Sequence, residues 1–329
     1  MNFGPCPVGS AEGSILAHSV TLPDGRLQKG VRLTAEDCAR LAAAGLATVT
    51  VARLDPGDVD EDSAARRIGA CLTGAGLTAA EPFTGRVNIV AGAAGVLRVD
   101  TSRIAAFNGI DEALTLATTP DLARVAAHQL VATVKVIPYG VADRVVARGE
   151  AALGEGALAL APFRGGRAVL IMTRTPGFRA ALLDKGGRIV RDRVDALGYA
   201  LADPVVVPHE TGALAAALSD VSADLILVLG ASATSDRADV VPAAVETAGG
   251  RVTRFGMPVD PGNLMVLADL GGTPVVGLPG CARSPALNGV DWVLERIAAG
   301  IALTPGDIAA MGVGGLLKEM AGRPQPRRP

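Results

Sequence analysis

The pattern of apolar and polar positions changes character near residue 162 and divides the chain in two. In the first half, an apolar start at 10–18 precedes a turn signal at Pro23-Asp-Gly25. Thr34-Ala-Glu-Asp37 then opens an apolar-periodic run to Ala44, closed by Gly45. A hydroxyl cap, acids in the first turn and glycine just past the end predict a helix. Thr48-Val-Thr-Val51 predicts a strand, and Asp60-Glu-Asp-Ser63 opens a second helix to about Leu72. Short strands are expected at 85–90, 96–99 and 130–137, the last ended by Pro138. Helices are expected near 102–107 and over 141–158. This half reads as α+β.

A linker, Pro162-Phe-Arg-Gly-Gly166, precedes a different pattern. Ala168-Val-Leu-Ile-Met172 and Asp224-Leu-Ile-Leu-Val-Leu229 are near-continuous apolar runs. Such runs suit parallel strands buried on both faces. Further strands are expected at 204–207, 252–255, 264–267 and 274–278. Helices are expected at 185–197, 211–221, 238–248 and 285–297. Strands alternating with helices predict a doubly wound, mostly parallel α/β sheet. The resulting division is an α+β domain over 1–162, an α/β domain over 163–301 and a partly disordered tail over 302–329.

Composition narrows the function classes. Of 329 residues, 49% are hydrophobic and only 3% aromatic, so small aliphatic side chains must build the core. Mean hydropathy is +0.37, yet no run of about 18 uncharged apolar residues exists. A transmembrane helix is therefore not expected. Formal net charge is −2, and basic residues cluster only in the tail from Arg323, which argues against nucleic acid. The N-terminus lacks the pattern of a signal peptide, and four scattered cysteines suit reduced thiols in the cytoplasm.

In open α/β sheets ligands bind beyond the carboxyl ends of the strands. Three segments there each follow a strand and precede a helix: Thr173-Arg-Thr-Pro-Gly177, the loop from Gly230 to Asp239, and Leu278-Pro-Gly-Cys-Ala-Arg-Ser284. Glycine and serine with backbone N–H groups at a helix start suit a phosphate cradle, or merely make turns. Met257-Pro-Val-Asp-Pro-Gly-Asn263 has turn composition and can line the same crevice. Asp236 and Asp239 either hold a divalent cation or act as base, or Asp236 simply N-caps the next helix. There is no GxGxxG after a strand and no GxxxxGK[ST], so a dinucleotide oxidoreductase is disfavoured. The three histidines, 18, 128 and 209, all precede Ser232, which excludes a hydrolase triad of the nucleophile-elbow order. Each reads as a surface or capping residue.

Residues 165–300 resemble the molybdopterin-binding domain of molybdenum cofactor biosynthesis, shared by MogA-type adenylyltransferases and MoeA-type insertases. The residues that carry the likeness are Leu229-Gly-Ala-Ser-Ala-Thr-Ser-Asp236-Arg-Ala-Asp239, Met257-Pro-Val-Asp-Pro-Gly262, and Gly277-Leu-Pro-Gly280 followed by Ser284. Ile15-Leu-Ala-His-Ser-Val20, Leu27-Gln-Lys-Gly-Val-Arg-Leu-Thr34 and 41–51 resemble the insertase type more weakly. The chain departs from insertases where Thr173-Arg-Thr-Pro-Gly177 lacks carboxylates and where Asp260 and Asn263 replace lysines.

The resemblance implies a cytoplasmic molybdopterin-binding homodimer. It implies binding residues Thr173, Arg174, Gly230, Ser232, Ser235, Gly262, Asn263, Pro279, Gly280, Arg283 and Ser284. Asp236 and Asp239 are the expected catalytic residues and Mg²⁺ ligands. A transferase would insert molybdate or use ATP or CTP for nucleotidyl transfer. The alternative is a non-catalytic module that delivers molybdopterin to a separate cytidylyltransferase or apoenzyme.

Overall fold

The computed structural model describes residues 1–260 and 262–317. The chain forms two compact units, 1–161 and 162–329.

In the first unit the helix Ala35–Ala43 starts where its cap residues dictate. The Thr34 hydroxyl accepts the Asp37 amide, and the Asp37 carboxylate accepts the Thr34 amide in return. The strand Thr48–Arg53 lies between two antiparallel partners, Asn2–Pro7 and Ile15–Leu16. Asn2–Pro7 has no alternation to announce it and carries Pro5 and Pro7, which an edge strand tolerates. A four-stranded antiparallel sheet orders Leu114–Thr118, Leu130–Val136, Arg86–Ala91 and Leu77–Ala79. The helix Glu61–Leu72 packs Ala65, Ile68 and Leu72 into the same core as Val87, Ile89 and Val134. The expected helix over 141–158 is shorter, Asp143–Leu153. Gly154 at φ 53° and Gly156 at φ 77° break it, and Leu158–Pro162 continues as a strand where the linker was expected to start.

The second unit is built on a seven-stranded sheet. Gly166–Arg174 pairs in parallel with Tyr199–Leu201, Val205–Pro208 and Leu225–Leu229, and Leu225–Leu229 pairs in parallel with Thr273–Gly277. Side-chain alternation sends Leu170, Met172, Leu227 and Leu229 to one face, against Val190 and Val194 of helix Ala180–Asp195 and Val293 of helix Gly289–Ala298. Val169, Ile171, Ile226 and Val228 face the other way. They meet Leu214 of helix Thr211–Asp220 and Val245 of helix Val240–Thr247. Helices therefore cover both faces, and the doubly wound, mostly parallel fold is as expected. Arg251–Met257 and Asn263–Leu270 add an antiparallel edge. Their connections are too short for a crossover, and Gly271 and Gly272, both at positive φ, make the hairpin turn.

Residues 302–317, the start of the expected tail, are anchored to the second unit. Helix Pro305–Ala310 puts Ile308 in the core with Met311, and Asp260 binds the same stretch through Gly315 and Leu317. The apolar side chains Ile308 and Met311 hold it down. The expected disorder of 318–329, including the basic cluster at Arg323, lies outside the described residues. Among the described residues, no helix is long and apolar enough to cross a membrane.

Candidate functional site

The carboxyl ends of Gly166–Arg174, Leu225–Leu229 and Thr273–Gly277 lie side by side, because these strands are adjacent and parallel. Their loops are cross-linked. Thr173 ends the buried part of its strand and is fully enclosed. Its hydroxyl accepts the Ala231 amide at 2.8 Å and sits 2.8 Å from His209 Nδ1. From the other side, the Arg283 guanidinium donates to the Gly230 carbonyl at 2.6 Å. Arg283 is half-buried, and loss of hydration pushes its pKa down from the usual value. Packing at Gly230 is tight, since a Cβ there would stand 3.0 Å from the Ser232 carbonyl oxygen.

The loop between these anchors is open. The amides of Ser232, Ala233 and Thr234 donate to no partner among the described residues. The side chains of Ser232 and Ser235 are exposed and reach only the Ala233 carbonyl. Pro279 is buried, and Gly280 opens a short 3₁₀ turn to Arg283. Ser284 accepts the Ala286 amide. Arg193, from the last turn of its helix, donates to the carbonyls of Ala282, Ser284 and Ala286 and pairs with Asp291 at 2.7 Å. It shapes this third loop from beneath.

Gly262 needs its freedom at φ 98°. Asn263 is buried and donates to Asn288 Oδ1 at 3.1 Å, while Asn288 caps helix Gly289–Ala298 and donates to Cys281. The structure thus joins Asn263 to the third loop rather than to the first two. Arg174 is exposed and lines a cavity of about 490 Å³ with Phe178, Pro208, His209 and Glu210.

The two aspartates differ from expectation in their local roles. Asp239, not Asp236, caps helix Val240–Thr247, because the helix begins at Val240, two residues later than the expected start at 238. Both Asp239 oxygens are engaged, Oδ1 by the Val240 amide and Oδ2 by the Ser235 amide. Asp236 accepts the Ala238 amide through Oδ1 in a local turn. Among the described residues no group of three His, Cys, Asp or Glu could hold a metal ion.

His209 and Glu210 line the cavity beside Arg174 and were not among the candidates read from the sequence. Both follow the strand Val205–Pro208, which ends beside Thr173 and Arg174. The strand-end rule that selected the other loops applies equally to this one.

Residues 168–299 match the family described as "Probable molybdopterin binding domain", and residues 5–53 match a domain of unknown function. Among solved structures, the chain is similar to a molybdopterin biosynthesis MoeA protein from Pyrococcus horikosii. The identity is 14%, over 91% of this chain and 76% of that chain, with a TM-score of 0.31. It is also similar to a molybdenum cofactor biosynthesis protein B, at 16% identity over 41% of this chain and 88% of that one, with a TM-score of 0.29. A molybdenum cofactor biosynthesis protein from Pyrococcus furiosus is 12% identical over 94% of this chain and 65% of that one, with a TM-score of 0.24. No curated protein matches the chain.

Proposed function

We propose, from the premise that residues 168–299 carry a domain of the probable molybdopterin-binding family, that the second unit binds molybdopterin and presents it without reacting on it. The carrying observation is the loop 230–235. Its partnerless amides at 232–234 face no competing hydrogen bond, and Thr173 and Arg283 brace it from both sides. Consecutive free amides are a cradle for a phosphate, and a braced loop loses little freedom on binding. The half-buried Arg283 cation adds attraction for the anion that solvent does not fully screen. Ser232, Ser235, Gly280 and Ser284 rim the same crevice in this reading.

Presentation is favoured over catalysis because both Asp239 oxygens already accept backbone amides, Oδ1 from Val240 at the helix start and Oδ2 from Ser235 in the loop. One observation supports the catalytic alternative. Asp236 is exposed and uses only Oδ1, which leaves Oδ2 as a base for molybdate insertion or nucleotidyl transfer. The cytoplasmic homodimer and the cytidylyltransferase partner belong to this proposal on the sequence resemblance alone.

Titration calorimetry with molybdopterin tests the binding step. We expect affinity at roughly tens of micromolar or tighter, and about a tenfold loss in Arg283→Met. No binding would sink the reading. A turnover assay with molybdate, Mg²⁺ and ATP or CTP separates the two roles. Turnover abolished by Asp236→Asn would overturn presentation in favour of catalysis.

A further inference from the structure

The cavity of about 490 Å³ beside Thr173 does not suit a phosphate. Its lining includes the Glu210 carboxylate, which repels one. Glu210 stands at the N-cap position of helix Thr211–Asp220, yet its side chain makes no capping bond, so its oxygens are uncommitted. Beside it, the His209 ring is held through Nδ1, 2.8 Å from the Thr173 hydroxyl, which leaves Nε2 without a partner among the described residues. The His209 amide also donates to the Arg174 carbonyl at 2.8 Å, which ties the two sides of the cavity together. Arg174 supplies a donor, and Phe178 and Pro208 supply apolar surface.

A group that satisfies this lining is flat and apolar on its faces. It carries paired N–H donors for a carboxylate, next to an oxygen that accepts from imidazole and guanidinium. The 2-amino-4-oxopyrimidine ring has that edge: the ring N–H and the exocyclic amine lie side by side, with the 4-oxo oxygen adjacent. We propose that this cavity takes the pterin head of the ligand and that Glu210 determines its specificity by accepting both N–H groups. The inference rests on the binding reading above and places the two ends of one ligand. The pterin lies at 174–178 and 208–210, and the phosphate lies at 230–235. The volume suits a small planar ligand.

The test uses fluorescence titration of the full chain with hydroxymethylpterin and with the matching lumazine, in which an oxygen replaces the 2-amino group. Wild type is expected to prefer the pterin by about tenfold to a hundredfold, the worth of a charge-assisted hydrogen bond. Glu210→Gln should erase that preference, because an amide can donate to the lumazine oxygen. Glu210→Asp should retain part of it. Equal binding of the two probes, binding of neither, or a preference untouched by Glu210→Gln overturns the inference. Guanosine shares the same edge, and guanosine binding more tightly than hydroxymethylpterin overturns the pterin assignment. Titration with molybdopterin distinguishes this inference from the reading beneath it. If Glu210→Gln binds molybdopterin as wild type does, the pterin lies elsewhere and only the phosphate reading stands. If wild type binds hydroxymethylpterin through Glu210 but does not bind molybdopterin, the cavity assignment stands and the binding reading falls.

Discussion

Thr173 uses its hydroxyl twice in a fully buried position, once as acceptor from Ala231 and once toward His209. Valine matches its shape and removes both functions. Thr173→Val is therefore expected to leave the Ala231 amide without its acceptor and to cost about 2 kcal/mol in chemical denaturation. Thr173→Ser should lose less than half of that. Hydrogen exchange gives the sharper readout: the Ala231 amide should lose protection in the valine variant and keep it in the serine variant. Unchanged protection in Thr173→Val would mean that the hydroxyl is not the brace. Thr173 was legible as a strand-end residue and was expected to contact ligand, yet it is fully buried. Its role as a brace was not legible, because Ala231 and His209 are 58 and 36 residues away and only the sheet brings them together.

At the scale of elements, helix starts were more legible than helix lengths. Thr34 and Asp37 satisfy each other's amides three residues apart, so the start of Ala35–Ala43 is a local matter. Hydrogen bonds from the Thr34 amide and hydroxyl hold the Asp37 carboxyl below the ordinary carboxylate range. A carboxyl with a lowered folded pKa stabilises the fold above its unfolded value, and that contribution is lost as pH falls through the folded one. Asp37→Asn is accordingly expected to cost about 1 kcal/mol at neutral pH, and less as pH falls below the ordinary Asp value. Denaturant midpoints of wild type and variant should converge on acidification; a gap that stays constant with pH would count against the capping role. By contrast, the helix after Asp236 was placed too early, and the one after Ser284 begins only at Gly289. There Arg193 holds the carbonyls of Ala282, Ser284 and Ala286 out of helical register. A side chain from another helix helps to set that boundary, together with the local capping box of Asn288 and Asp291.

For the whole molecule, each of the two units has its own core. In the second, helices flank the sheet on both faces, so its apolar surface is covered from within. Residues 162–329 expressed alone are expected to unfold in one cooperative transition, followed by circular dichroism in urea. A gradual, non-cooperative loss of signal would show that the unit depends on the rest of the chain. By itself the sequence determined the main elements of the second unit and its layered α/β architecture. Continuous apolar runs such as 168–172 and 225–229 are stable only when buried on both faces, and the alternation of strands with helices dictates the winding. It also placed the phosphate-type loops at strand ends, because glycine and serine mark close backbone approach. Only the tertiary structure decided that Asp239 is spent on a cap, that Arg283 braces Gly230, and that Phe178, His209 and Glu210 share a cavity. Those facts depend on contacts between residues far apart in the chain, where direction and burial assign each side chain its partner. Composition and spacing carry no record of either.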